Sequence, residues 1–131
     1  MGEYKKQTKT LPVGAIAADS DATLWALWTI PNAIKIAAVR LGVNATNTKA
    51  DTNYNTVELK NGDTTVASIA NGPNSAAGTT IAAGAFGTMA LVAAAAECAA
   101  GDVLTLDVTK TGNGLAYAGV VIEIDYYDYN A

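Results

Sequence analysis

The side chains that usually carry acid–base or metal chemistry are scarce in this sequence. It contains no histidine and a single cysteine, Cys98, which lies in an alanine-rich run. Histidine is the commonest general base and the commonest metal ligand, and a zinc site needs a group of Cys or His ligands. A lone cysteine among alanines is typical of a small buried side chain rather than of a reactive thiol. We therefore predict no metal site and no cofactor.

The twelve acidic residues form no recognisable catalytic or calcium-binding motif. The acidic loop positions are Asp19, Asp21 and Asp51, the last of which is followed by Asn53 and Asn55. Their spacing does not match an EF-hand loop, and short polar side chains at such positions commonly cap turns and strand starts. Glycoside hydrolysis needs two carboxylates brought together by the fold, and no local pattern indicates such a pair. The chain is therefore not expected to be an enzyme.

Composition narrows the remaining classes of protein. Half of the 131 residues are apolar, only 15% are charged, and the formal net charge is −4. A nucleic-acid-binding domain would carry a basic surface, and no apolar run approaches the ~20 residues that span a bilayer. The first ten residues lack the apolar segment of a signal peptide. We expect a single domain made in the cytoplasm, with neither a nucleic-acid nor a membrane partner.

Any site must be positioned by strands, and the clearest of these lie in residues 100–129. Leu104, Leu106 and Val108 alternate with polar residues, which predicts a strand with one buried face. Residues 111–114 include two glycines and suit a tight turn, after which the alternation resumes over residues 120–127. This pattern predicts a β-hairpin of two long strands. A hairpin of this length needs a second sheet to cover its apolar face.

Further alternating segments complete the prediction of an all-β domain. In the predicted strand of residues 33–43, the apolar residues change from one parity to the other, and a bulge near Ala37–Ala38 would let both groups face the core. Asn61-Gly62-Asp63 predicts a second hairpin. We interpret residues 93–100 as a loop with one helical turn. The total of seven to eight strands is typical of an antiparallel β-sandwich or jelly roll. The remaining predicted strands are residues 23–30, 33–43, 54–60, 64–70, 79–81 and 86–92.

Residues 1–13 are predicted to form an extended N-terminal arm, separate from a domain of residues 14–131. The arm holds three of the eight basic residues. Two interpretations remain open: a solvated, frayed terminus, or an arm that lies on a neighbouring subunit or an acidic partner surface, for example by strand addition to an open sheet edge. In the second interpretation, the contact residues are Tyr4, Lys5, Lys6, Lys9 and Leu11.

Aromatic residues are the second set of candidate contact residues. Trp25 and Trp28 are three positions apart, so in a regular strand they face opposite sides, one toward the core and one toward an edge or an intermolecular surface. Together with Tyr126, Tyr127 and Tyr129 they are the predicted oligomer interface, since aromatic residues supply much of the binding energy of interfaces. Exposed Trp and Tyr could alternatively form the platform of a carbohydrate-binding β-sandwich.

Three segments carry a resemblance to a known family: TLWALWTIPNAIKIAAVRLGV, ADTNYNTVELKNGDTTVASI and AAGDVLTLDVTKTGNGLAYAGVVIEI. Over residues 22–125 the chain resembles the capsid decoration (cement) proteins of tailed bacteriophages. The resemblance implies a jelly-roll or sandwich domain that clamps neighbouring major capsid proteins on the outer head surface, as a homotrimer. A head-fibre or minor tail component is the alternative within the virion. The basic N-terminal segment and the acidic, tyrosine-rich C-terminus depart from the family pattern.

Overall fold

Alternation of apolar and polar residues produces ten β-strands and one short 3₁₀ turn at Ala93–Ala95. The structure, a computed structural model, describes residues 5–16, 22–48, 50–73 and 78–128, without the side chains of residues 22–25. The strands are β1 (Lys6–Ile16), β2 (Ala22–Thr29), β3 (Ile34–Gly42), β4 (Tyr54–Asn61), β5 (Thr64–Ala70), β6 (Phe86–Thr88), β7 (Ala90–Leu91), β8 (Glu97–Cys98), β9 (Val103–Thr111) and β10 (Tyr117–Asp128).

The strands form two antiparallel sheets that face each other. Sheet A has the order β1-β10-β3-β6, with β8 also paired to β3, and sheet B has the order β2-β9-β4-β5-β7. Consecutive strands lie in different sheets at every step except β4 to β5. When the two-residue strands β7 and β8 are set aside, the eight remaining strands have the order of a jelly roll. The predicted all-β sandwich is thus confirmed, with ten strands rather than seven to eight.

One additional strand is β1, and the other two arise between residues 86 and 98, whereas the predicted strand at residues 79–81 is reduced to a single bridge between Ile81 and Asn47. The single strand predicted for residues 86–92 is divided between the two sheets, because β6 pairs with β3 and β7 pairs with β5. Met89, which joins them, is buried between the layers. The predicted helical turn is present as the 3₁₀ turn, and β8 follows it directly.

The two long C-terminal strands are confirmed, but their pairing as a hairpin is wrong. β9 lies between β2 and β4 in sheet B, whereas β10 lies between β1 and β3 in sheet A. Gly112 and Gly114, with φ of 62° and 63°, let the chain turn from one layer to the other. Each apolar face is therefore covered by the opposite sheet. The predicted turn at Asn61-Gly62-Asp63 does form a hairpin, since β4 and β5 pair directly.

Two bulges bring residues of opposite parity to the core. Opposite β10, Asp125 pairs with Ala38 and Tyr126 pairs with Ile36, so Ala37 is the extra residue of β3. This is the predicted bulge, and Ile34, Ile36, Val39 and Leu41 are all buried as a result. A second register shift lies in β5 at Val66, and it places Val66 and Ile69 in the same core.

The segment predicted as an arm is an edge strand from Lys6 onward. β1 pairs with β10 from Lys6 opposite Tyr127 to Ile16 opposite Tyr117, so the predicted boundary after residue 13 falls inside a strand. Leu11 is only 7% exposed and Ile16 only 3%. Burial of each such aliphatic side chain stabilises the fold by about 1.5–3 kcal/mol, which is enough to hold this polar-looking segment on the sheet.

Candidate partner-binding surface

The predicted arm residues are not brought together as one contact set. Lys5 and Lys6 are exposed, and Lys6 lies on the outer face of sheet A, opposite Tyr127. Lys9 has the opposite parity and pairs with buried Ile124, so its side chain starts on the inner face at the sheet edge. Leu11 belongs to the core, which corrects its prediction as a partner contact. Tyr4 lies outside the described residues.

Lys9, Trp28 and Tyr126 pack together at the edge of the sandwich. The Lys9 Nζ lies 5.6 Å from the centre of the Trp28 ring, a cation–π distance, and the centres of the Trp28 and Tyr126 rings are 5.1 Å apart at a tilt of 59°. Trp28 and Tyr126 also pack against the core. A cation and a second ring therefore occupy the surroundings of Trp28, which disfavours its use as an open sugar platform.

The other aromatic candidates are not part of this group. Tyr127 lies on the outer face of sheet A, half-buried between Lys6 and Lys35. Trp25 pairs with Leu106 and Trp28 with Leu104, with a register shift between Ala26 and Trp28, so the regular alternation behind the opposite-face prediction is interrupted. The side chain of Trp25 and all of Tyr129 lie outside the described residues, and their roles stay predictions.

The centre of the outer face of sheet A holds an ion cluster of Arg40, Glu123, Asp125 and Thr8. The Arg40 guanidinium donates to Glu123 Oε1 at 2.7 Å and to both Asp125 oxygens at 2.7 and 2.9 Å. The Thr8 hydroxyl donates to Asp125 Oδ1 at 2.7 Å, which ties the edge strand to the same group. Three strands are thus crosslinked through one carboxylate.

The ion cluster shifts the ionisation of its members. The hydrogen bond from Arg40, followed by that from Thr8, lowers the pKa of Asp125 to about 2. In return, the hydrogen bonds to Asp125 and Glu123 raise the pKa of Arg40 above its already high usual value. Arg40 and Asp125 are therefore both charged at neutral pH. It was missed in the sequence, although Glu123 and Asp125 share the outward parity of β10 and so required a cation on a neighbouring strand.

An apolar row crosses sheet A beside the ion cluster. Pro12, Val121 and Gly42 are paired across β1, β10 and β3, and Phe86 of β6 pairs with Gly42. Phe86 is 44% exposed, and its ring lies so close to Gly42 that an added Cβ would come within 2.9 Å of it. Only glycine leaves room for the ring to rest on the strand.

The outer face of sheet B is different, because most of its side chains are short. The Lys60 ammonium lies 3.3 Å from Asp107 Oδ2, and the Thr65 hydroxyl donates to Glu58 Oε2 at 2.7 Å. The rest of this face is formed largely by hydroxyl and methyl side chains from β4, β5, β7 and β9. These are Thr56, Ser68, Ala70, Ala90, Thr105 and Thr109.

Three buried asparagines, Asn47, Asn55 and Asn71, hold together the loops at one end of the sandwich. Asn55 bonds both backbone groups of Leu115, through Nδ2 to the carbonyl at 2.7 Å and Oδ1 from the N–H at 3.1 Å. Asn47 Nδ2 donates to the Ala116 carbonyl at 2.9 Å, and Asn71 Nδ2 donates to the Thr79 carbonyl at 3.0 Å. Asn55 has the same parity as buried Val57 and Leu59, a signal from which its burial could have been predicted.

An open depression of about 570 Å³ adjoins this asparagine end. Its lining is mostly apolar and is contributed by Ala15, Ile16, Ala45, Ala116 and Ala118, among others. Tyr117 also borders it, but its hydroxyl is buried and burial raises the pKa of the phenol. The depression therefore presents little polar surface with which to orient a ligand.

The last candidate features are the Cys98 thiol, metal-binding groups and membrane-spanning helices. Cys98 is buried, as predicted, and burial raises the pKa of its thiol to about 11, which keeps it protonated. Within residues 5–16, 22–48, 50–73 and 78–128, no three His, Cys, Asp or Glu side chains cluster in a way that could hold a metal ion. In the same ranges, no helix has the length and apolar character needed to cross a bilayer.

The chain was also compared with known proteins. No family model and no curated protein matches it.

Proposed function

We propose that this protein is a structural component of a tailed-bacteriophage particle, a decoration protein that binds the outer surface of the head and strengthens the contacts between major capsid proteins. Two things support the proposal: the sequence resemblance over residues 22–125 and a jelly-roll strand order, an arrangement found in viral capsid and lectin domains among others. Because a fold can serve many functions, the surface of the domain must carry the rest of the argument.

The observation that favours a contact function most directly is the outer face of sheet B. It is an antiparallel surface in which Thr, Ser and Ala side chains are the most frequent, around the Lys60–Asp107 and Thr65–Glu58 pairs. Such short side chains lose less conformational entropy on packing than Lys, Arg, Glu or Gln. A lattice of capsid subunits offers buried area only once it is assembled, so a protein that binds across subunits stabilises the assembled state by mass action.

The copy number in particles tests this proposal. Quantitative mass spectrometry of gradient-purified particles from the bacterium that produces the chain should find it at a stoichiometry comparable to that of the major shell protein. A few copies per particle would favour a head-fibre or minor tail component instead. Absence from the particles would overturn the proposal.

A glycan array separates the proposal from carbohydrate binding. Since Trp28 is packed against Tyr126 and Lys9, we expect no bound glycan. Specific retention of a sugar by the purified chain, lost on Trp28→Ala, would favour the lectin-like alternative.

A further inference from the structure

Three residues form a basic row on the outer face of sheet A: Lys6, Tyr127 and Lys35. Tyr127 of β10 pairs directly with Lys6 of β1 on one side and with Lys35 of β3 on the other. Directly paired residues of an antiparallel sheet present their side chains on the same face. Both lysines are exposed, as is Lys5 immediately before β1, and Tyr127 is half-buried between them.

Most of the carboxylates near the basic row have other hydrogen-bond partners, although Lys6 lies close enough to Asp125 to contribute to the lowered pKa of that carboxyl. Arg40 binds Asp125 and Glu123, and Gln7 Nε2 donates to Asp128 at 2.6 Å. Among the described residues, the ion pairs within 4.0 Å involve Arg40 and Lys60, and none involves a lysine of the row. Glu97 of β8 pairs with Lys35 in the sheet, but it is exposed and forms no such ion pair.

The row therefore concentrates positive charge on a chain whose net charge is −4. The backbones of the two lysines lie on either side of Tyr127, two strand spacings or about 10 Å apart. Carboxylates at positions i and i+2 of an extended segment are about 7 Å apart and would lie between the two ammonium groups, where the Tyr127 hydroxyl can donate a hydrogen bond.

From this geometry we infer that the basic row is the docking site for an acidic, extended protein segment, which in the particle belongs to the shell protein. The inference rests on the proposed function for the identity of the partner, but not for its chemistry. Nucleic acid is the less suitable polyanion, because its affinity comes from neutralising many successive phosphates, whereas the row and its neighbour offer three lysines, Lys5, Lys6 and Lys35.

A titration with a model acidic peptide tests the chemistry without any particle. The probe is poly-L-glutamate at low ionic strength, followed by amide chemical shifts of the ¹⁵N-labelled full chain. The largest shifts are expected at Lys6, Lys35 and Tyr127, and they should fade near 0.1 M salt, where the screening length is about 10 Å. Shifts spread evenly over the surface, or no shifts, would overturn the inference. Tighter binding of an oligodeoxythymidylate than of polyglutamate would overturn it in favour of nucleic acid.

Charge reversal supplies the matched comparison. The double variant Lys6→Glu/Lys35→Glu should weaken polyglutamate binding at least about tenfold, because like charges then face each other. The single variants Lys35→Glu and Lys110→Glu change the net charge equally, and Lys110 lies on β9 in the other sheet. Lys35→Glu should weaken binding, whereas Lys110→Glu should leave it within about twofold. Thermal unfolding of each variant checks the fold, and Lys→Gln replacements at the same positions should give intermediate binding. Equal weakening by Lys110→Glu would contradict a localised site.

Particle binding then separates this inference from the proposed function. If the wild-type chain and the double-reversal variant decorate particles equally well, the assignment of the basic row as the docking site is wrong and the proposed function stands. If the wild-type chain binds polyglutamate through the row but does not bind particles, the acidic site stands and the proposed function is wrong.

Discussion

The ion cluster on sheet A and the asparagine end of the sandwich both pair polar groups that have little access to water, but they use different chemistry. In the ion cluster, the side chains of Arg40 and Glu123 keep 25% and 23% of their exposure, and that of Asp125 keeps 10%. At the asparagine end, Asn55 and Asn71 are 1% and 0% exposed. The more deeply buried groups are neutral amides bound to backbone, whereas the charged groups stay near solvent.

This difference follows from the cost of desolvation. Removing an ion from water costs several kcal/mol even when it is paired, whereas a buried amide costs little once its donor and acceptor are bonded. Asn55, whose amide donor and acceptor are both bonded, can therefore be closed to water, whereas the side-chain oxygens of Asn47 and Asn71 are buried without a hydrogen-bond partner among the described residues. The ion cluster remains at the surface as part of a candidate binding face. The predictions below test this contrast, in order of decreasing effect.

The largest effect is expected from Asn55→Ala at the asparagine end. The substitution leaves the N–H and the carbonyl of Leu115 without their partners, at a cost of about 3 kcal/mol in the free energy of unfolding. Urea denaturation measures it. Asn53→Ala is the matched control, since the Asn53 side chain accepts a bond from the exposed Asn113 N–H and should cost less than about 1 kcal/mol. Equal costs would show that burial is not the deciding factor.

A smaller loss is expected from Arg40→Met in the ion cluster. The variant keeps an aliphatic chain but leaves Glu123 and Asp125 without their cation, and the expected loss is about 2 kcal/mol. Lys60→Met removes the partner of Asp107 in a pair that has a similar exposure but is joined by a single ion-pair contact, at 3.3 Å, and it should cost less than about 1 kcal/mol. If both variants unfold at the same urea concentration, the ion cluster stabilises the fold no more than the Lys60–Asp107 pair does.

Acid should weaken the ion cluster but not the asparagine end. The pKa of Asp125 is lower in the folded state, about 2, than the usual value of 3.8 for an aspartate, so its contribution to stability is present above pH ~4 and is lost as the pH falls toward 2. After allowance for solvent screening we expect about 1 kcal/mol from this group. Denaturation between pH 5 and pH 2 should therefore show a shallower loss for Asp125→Asn than for the wild type. An unchanged slope would contradict the assigned role of Asp125.

The smallest effect concerns chemical ageing of the three Asn-Gly pairs. Glycine leaves the following N–H open to attack on the asparagine side chain, which releases ammonia. Asn71 Nδ2 is bound to the Thr79 carbonyl and Asn61 Nδ2 to Asp102 Oδ2, whereas Asn113 is exposed in the turn after β9. Peptide mapping after prolonged incubation at mildly alkaline pH should find deamidation first at Asn113. Faster reaction at Asn71 would show that the asparagine end opens readily.

Part of the candidate surface could be predicted from the sequence. Lys5 and Lys6 were predicted as contact residues of a basic N-terminal segment, and Tyr127 lies in the alternating segment predicted for residues 120–127, because composition and strand parity are local properties. The sequence could not show that Lys35 lies beside these residues, because Lys35 is on β3 and is next to Tyr127 only through the β3–β10 pairing. The inward position of Lys9 was also not predicted, because it follows from the pairing of β1 with β10 and this segment was predicted to be an arm.

By itself, the sequence determined where most of the long strands lie (β2 to β5, β9 and β10), the β4–β5 hairpin, the bulge at Ala37 and the burial of Cys98. These features depend on alternation and turn residues within a few positions of one another. Only the tertiary structure decided which strands are neighbours: β9 and β10 in separate sheets, β1 on the edge of sheet A, and Arg40 beside Asp125. The physical reason is that a jelly roll passes between its layers at nearly every connection, so strand partners are chosen by which apolar faces must cover each other, across long separations in the chain.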